Sequence, residues 1–225
     1  MAQVSLARKK ELMEPDEFEV FLRNLLEKAI QYKNQLIVGA IVIAVLVLSV
    51  SGYLYKLKSN EKSASLALSS IVNEYEKETK VENIPTGLIN KFQNLLDEYS
   101  GTETAKFACV RYANACYSIG NYDKAISLYK DALKDFKKNE AITNIITCGL
   151  GYAYIGKKDF EAAKNYFEQI SSGSSEVMKE EALFNLGLIY ESLNDKTKSL
   201  ENYNKIIAGN NNSLYLDLVK EKVLE

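Results

Sequence analysis

Histidine is missing from the chain altogether, which removes the commonest general base, the usual zinc ligand and most arrangements that activate a nucleophile. Catalysis would have to run on carboxylates, lysine, tyrosine or cysteine. Cysteine is scarce as well: Cys109, Cys116 and Cys148 form an odd set at irregular spacing, neither a disulfide framework nor a CxxC metal site. On one helix Cys109 and Cys116 would lie roughly 10 Å apart, beyond the reach of a disulfide. All three read as small buried apolar residues. Two prolines and eleven glycines in 225 residues leave room for long helices. No large excess of either charge exists, since 28 basic and 30 acidic residues give a net charge of -2. Nucleic acid, which selects a basic field, is therefore not expected as a partner.

Against these absences stands one long apolar run, LIVGAIVIAVLVLSVSGYL from Leu36 to Leu54, with no charge in it. As a helix it covers roughly 28 Å, close to the hydrocarbon thickness of a bilayer. Tyr32 on one side and Tyr53 and Tyr55 on the other supply the aromatic rings expected at the two interfaces. A buried core helix of such uniform apolarity would need an apolar shell that one small helical domain hardly provides. A cleaved signal peptide is the sharper rival, because Ser49, Val50 and Ser51 make a small-x-small site. The preceding tail is long, however, and the run exceeds the roughly 7–15 apolar residues of a signal peptide. No cysteine follows for lipoprotein processing. An uncleaved signal anchor fits better.

The expected layout is a tail with an amphipathic helix over 1–35, a transmembrane helix over 36–55 and a soluble helical domain over 56–225. Close to the span the charges tie, with Arg23, Lys28 and Lys33 before it and Lys56, Lys58 and Lys62 after it. Arg8, Lys9 and Lys10 tip the balance toward an N-terminus on the inner side, since long domains translocate largely regardless of their own charge. In the tail Phe18, Leu22, Leu25, Ala29 and Tyr32 recur at helical steps after Pro15. That helix is fit to lie on a bilayer or to pack on a partner, and the sequence does not choose between them. Ala40 and Ala44 make a small-xxx-small pair inside the span.

Beyond the span, apolar spacing stays near 3.6 and no stretch alternates as a strand does. Three segments align: GNYDKAISLYKDAL from Gly120, KDFEAAKNYFEQI from Lys158 and DKTKSLENYNKII from Asp195. LGYAY from Leu150 and LGLIY from Leu186 precede the second and third. A Leu-Gly pair, an aromatic, then small and aromatic residues at fixed steps resemble the tetratricopeptide repeat. Gly120, Tyr122, Ala125, Tyr129 and Ala132 match it best. Tyr112 and Ala113 replace Leu-Gly in the first unit, Cys116 replaces an aromatic, Ser199 replaces an Ala in the third, and no unit has the terminal proline. With the span ahead of it, the resemblance implies an all-α fold: the transmembrane helix is followed by an α-solenoid with its best repeats at about 106–138, 144–174 and 180–209. Small residues let paired helices approach and aromatic rings fill the space between pairs. A further pair is expected upstream, from Ala64, Leu68, Ile71 and Tyr75 and from Leu88, Phe92, Leu95 and Tyr99, with its turn at Asn83 to Gly87. Downstream, after a break at Asn210 to Asn212, Ser213 can cap a last helix carrying Leu214, Leu218 and Val223.

The whole layout, including the tail motif EPDEF from Glu14 to Phe18, resembles the YfgM-type family of bacterial inner-membrane proteins. The resemblance implies repeats in the periplasm, a cytoplasmic N-terminus, and association with the SecYEG translocon and periplasmic chaperones. It supplies no catalytic residue. The groove of such repeats is lined by set positions of each first helix, here Phe107, Val110, Asn114 and Tyr117, then Ile145, Cys148, Tyr152 and Ile155, then Glu181, Phe184, Leu188 and Glu191. These positions are mostly apolar and lack the lysines of a carboxylate clamp, so extended hydrophobic segments are the expected ligands. Either the groove is open or the last helix covers it. An enzyme built on Asp159 and Glu161, or on Asp97 and Glu98, is disfavoured because those residues fall in turns and at helix ends. No cofactor, metal or small-molecule substrate is expected. A structural tether in envelope or outer-membrane assembly is the alternative function.

Overall fold

The computed structural model describes residues 17–78, 86–209 and 213–224. The basic cluster Arg8 to Lys10, Pro15, most of the EPDEF motif, the first part of the expected 83–87 turn and the break at Asn210 to Asn212 lie outside them. Among the described residues every element is an α-helix. The chain divides into two compact units, Met1–Lys58 and Ser59–Glu225.

The first unit holds α1 (Glu17–Gln31) and the start of α2 (Lys33–Glu78), separated by the single turn residue Tyr32. By length and composition α2 can cross a membrane, since its most apolar window has a mean hydropathy of 2.5 and none of that window is buried. Within it Ser49 returns its hydroxyl to the Val45 carbonyl at 2.8 Å, satisfying a donor that an apolar surrounding would strand. The helix does not stop at Leu54. Loss of apolarity there marks a change of expected solvent, and the helix-forming residues that follow carry the backbone on to Glu78.

The second unit is a stack of helix pairs. The end of α2 pairs with α3 (Thr86–Glu98), where Lys91 bonds Glu74. Then α4 (Glu103–Ser118) pairs with α5 (Tyr122–Phe136), α6 (Glu140–Gly156) with α7 (Phe160–Ser172) and α8 (Lys179–Ser192) with α9 (Lys196–Gly209). The short α10 (Leu216–Leu224) follows.

One turn is used three times. Gly120, Lys158 and Asn194 adopt left-handed φ angles of 76°, 61° and 59°. After each of them Asn121, Asp159 or Asp195 bonds back to a carbonyl five residues earlier, on Cys116, Tyr154 or Tyr190. This is the Schellman closure of a helix. The same Asn or Asp then starts the next helix, its side chain accepting from the backbone N–H of Lys124, Ala162 or Lys198. One residue so ends the first helix and caps the second.

Packing follows the small and aromatic pattern. Ala125, Ala132, Ala153, Ala163 and Ala182 are fully buried. A Cβ on Gly151 would stand 2.5 Å from the Phe167 ring, and one on Gly187 would penetrate the ring of Tyr203. Phe92 stacks on Tyr112 with ring centroids 5.6 Å apart, joining the upstream pair to the first full repeat. Ala64, Ile71, Leu88, Phe92 and Leu95 lie in the core, and Leu68, Tyr75 and Tyr99 pack against it.

Candidate functional site: the face of the first helices

Three of the first helices, α2, α6 and α8, hold the next one, or the segment just before it, through polar contacts. Glu61 accepts from the backbone of Glu103 and Thr104 and from the Thr104 hydroxyl at 2.6 Å. Those bonds, the hydroxyl first, lower its pKa. Glu140 accepts from Ser174 and Ser175, Asn144 donates to the Val177 carbonyl at 3.0 Å, and Ser213 bonds Glu180 at 2.7 Å. Through that last contact α10 takes the place of the first helix in a further pair.

The twelve expected groove positions fall into three surroundings. On α4, Phe107 is 47% exposed, its ring tilted against that of Phe136 with centroids 4.9 Å apart. Asn114, also exposed, accepts from the Tyr129 hydroxyl at 2.6 Å. Val110 and Tyr117 pack partly into the core. On α6, Ile145 is 48% exposed while Cys148 is buried, and Tyr152 and Ile155 lie between these extremes. Tyr152 donates to Glu181 and accepts from the Asn185 amide at 3.0 Å, which binds α6 to α8. Burial raises the Glu181 pKa. On α8, Phe184 stacks on Tyr215 at 4.7 Å, Leu188 is half-buried and Glu191 pairs with Lys222 at 3.1 Å. The terminal segment therefore reaches the α8 end of this face, whereas Phe107 and Ile145 present their side chains to solvent.

Tyr215 and Lys222 were not among the expected contributors. Of the expected Leu214, Leu218 and Val223, the last helix carries only the latter two; Leu214 precedes it and is 92% exposed, and Leu218 is 52% exposed. Tyr215 and Val219 face the stack instead, with Val223 beside them. The phase of so short a helix is set by where it starts, and Ser213 accepts from the backbone of Tyr215, so α10 begins only at Leu216.

The cysteines behave as packing residues. Cys116 and Cys148 are buried, and Cys109 gives its thiol to the Leu128 carbonyl at 3.4 Å. Burial pushes the three thiol pKa values up, to about 11 for Cys109 and Cys116 and about 12 for Cys148. Among the described residues no three His, Cys, Asp or Glu side chains gather as a metal would require. Asp159 and Asp195 are helix caps, and Glu161 pairs with Lys164 in the first turn of α7.

A family model described as a tetratricopeptide repeat-like domain matches residues 30–223. The chain belongs to that family. No curated protein matches it. Among solved structures it is similar to the crystal structure of BtubC (BKLC) from P. vanneervenii, at 17% identity and a TM-score of 0.47, over 70% of this chain and 74% of that one.

Proposed function

We propose that this protein is a membrane-anchored protein–protein interaction module whose first-helix face receives apolar segments of a membrane-bound secretion partner. The observation that carries the reading is the pair Phe107 and Ile145, large apolar side chains about half exposed at matching positions of neighbouring first helices. Such residues anchor a partner at little cost to the fold. Anchoring by 36–55 holds the module at the bilayer and raises its effective concentration for a membrane partner. The family model supports a common unit, because it takes in the apolar run together with the repeats.

In this reading residues 1–35 are cytoplasmic, the repeats are periplasmic in a bacterial inner membrane, and the partner is the SecYEG translocon or a periplasmic chaperone working with it. The resemblance to YfgM-type proteins points to those partners. Cross-linking of the full chain in mild detergent tests the groove. A Phe107→Asp/Ile145→Asp chain is expected to lose at least about tenfold in partner yield, while its melting falls only by what the Phe107–Phe136 contact and the half-buried part of each side chain contribute. Wild-type yield from that variant would remove this face from the function. Protease added to spheroplasts should digest the repeat domain; digestion of the tail alone would reverse the orientation.

A further inference from the structure

We infer that α1 is an interfacial helix that lies with its apolar stripe in the surface of the same bilayer leaflet from which the membrane segment enters. The inference rests on the reading of residues 36–54 as membrane-spanning.

α1 is 15 residues long, close to the lower limit at which a helix persists in water without support. Most helices obtain that support by packing an amphipathic face. Here Phe18, Phe21, Leu22, Leu25 and Leu26 share one face at helical spacing, and all remain 41–63% exposed. Glu19, Arg23 and Glu27 occupy the other side. A stripe this large with no protein against it calls for an apolar surface.

The bilayer is the occupant that position selects. Only Tyr32 separates α1 from the helix that begins the membrane segment, and the inferred bend opens the two backbone bonds that bracket it, from Tyr32 to Lys28 and from Leu36 to Tyr32, each 2.9 Å. Leu25, Ala29, Tyr32 and Leu36 line one common hollow together with Lys28 and Gln35, so the stripe continues past Tyr32 to the first residue of the apolar run. A helix tied this closely to a span meets the lipid surface at very high effective concentration. Three carboxylates, Glu17, Glu19 and Glu27, against Arg23 and Lys28 leave α1 without net positive charge. Adsorption therefore comes from apolar burial and not from attraction to anionic headgroups.

The chain contains no tryptophan, so one introduced indole reports its own position. Leu25→Trp, Glu27→Trp and Leu46→Trp full-length chains are reconstituted in phosphatidylcholine vesicles carrying lipids brominated at shallow or deep acyl positions. Leu25→Trp is expected to lose at least about half its emission to shallow bromines and less to deep ones, as its depth of roughly 5–10 Å requires. Glu27→Trp should be little affected, and Leu46→Trp should respond most to deep bromines. Replacing a third of the lipid by phosphatidylglycerol, or diluting the protein in lipid, should leave the Leu25→Trp signal unchanged. Equal, weak quenching of Leu25→Trp and Glu27→Trp beside a deeply quenched Leu46→Trp overturns the inference and leaves the anchor standing. Deep quenching of Leu25→Trp overturns it as well, since α1 would then run through the bilayer. Loss of the signal on dilution in lipid assigns the stripe to a second copy. An unquenched Leu46→Trp refutes the anchor and the inference with it.

Discussion

At the scale of single residues the repeated turn shows what periodicity can and cannot convey. Spacing of Ala, Gly and aromatic positions announces which side chains meet, and Gly151 against Phe167 and Gly187 against Tyr203 meet as that spacing implies. It carries no information on φ, so although an Asn at a helix end suits left-handed backbone, as at Asn194, nothing in KKD marks Lys158 as left-handed. Gly120 suits the conformation without strain, Asn194 tolerates it, and Lys158 is strained in it. Lys158→Gly should therefore stabilise the domain by about 1 kcal/mol, and Gly120→Ala should destabilise it by a similar amount, read from thermal or denaturant melts. Two variants that both melt as wild type would remove strain from the account of these turns. Glu181 offers a second test. Its folded pKa is raised above the unfolded one, so its charged form opposes folding above that range and the penalty disappears as pH falls toward the unfolded value. Glu181→Gln should melt at or above wild type at pH 7, the difference closing toward pH 4. A variant less stable at pH 7 would show that the bonds from Tyr152 and within α8 outweigh desolvation.

Elements were more legible than their ends. Helices α4 to α9 declare themselves through apolar steps of three and four, polar caps and short turns, all local features that tertiary packing only reinforces. Two ends escaped for different reasons. The apolar run closes at Leu54, yet α2 continues, because hydropathy reports the solvent that side chains prefer and the backbone ladder is indifferent to it. At the C-terminal end Leu214, Leu218 and Val223 read as one buried face, but a helix of nine residues has too little periodicity to set the phase, and tertiary contacts through Tyr215 and Val219 set it instead. Val219 is fully buried and Leu218 half exposed. Val219→Ala should cost about 1–2 kcal/mol, whereas Leu218→Ala should change stability by less than about 0.5 kcal/mol. The reverse order in a urea titration would mean that α10 sits rotated from the position described.

For the molecule as a whole, family and architecture could be read early because every repeat restates them, while the binding face could not. A sequence shows the same apolar letter for Phe107, which water reaches, and for Phe184, which Tyr215 covers. The stack also determines how damage spreads. Its buried residues fall into successive clusters, one spanning the upstream pair to α6, one joining α6 to α8, and one made of α8, α9 and α10. Each helix touches chiefly its neighbours, so stability is a sum of local terms and nearest-neighbour interfaces. Gly187→Ala places a methyl group against the fully buried Tyr203 ring, a substitution that overpacking makes costly by about 1–3 kcal/mol. Hydrogen exchange on that variant should accelerate in α8, α9 and α10 and stay near wild type in α4 and α5, because the lost free energy belongs to the last interface. Equal acceleration from α4 to α10 would show instead that the domain opens only as one cooperative unit, and that the chain of nearest-neighbour contacts does not divide its stability.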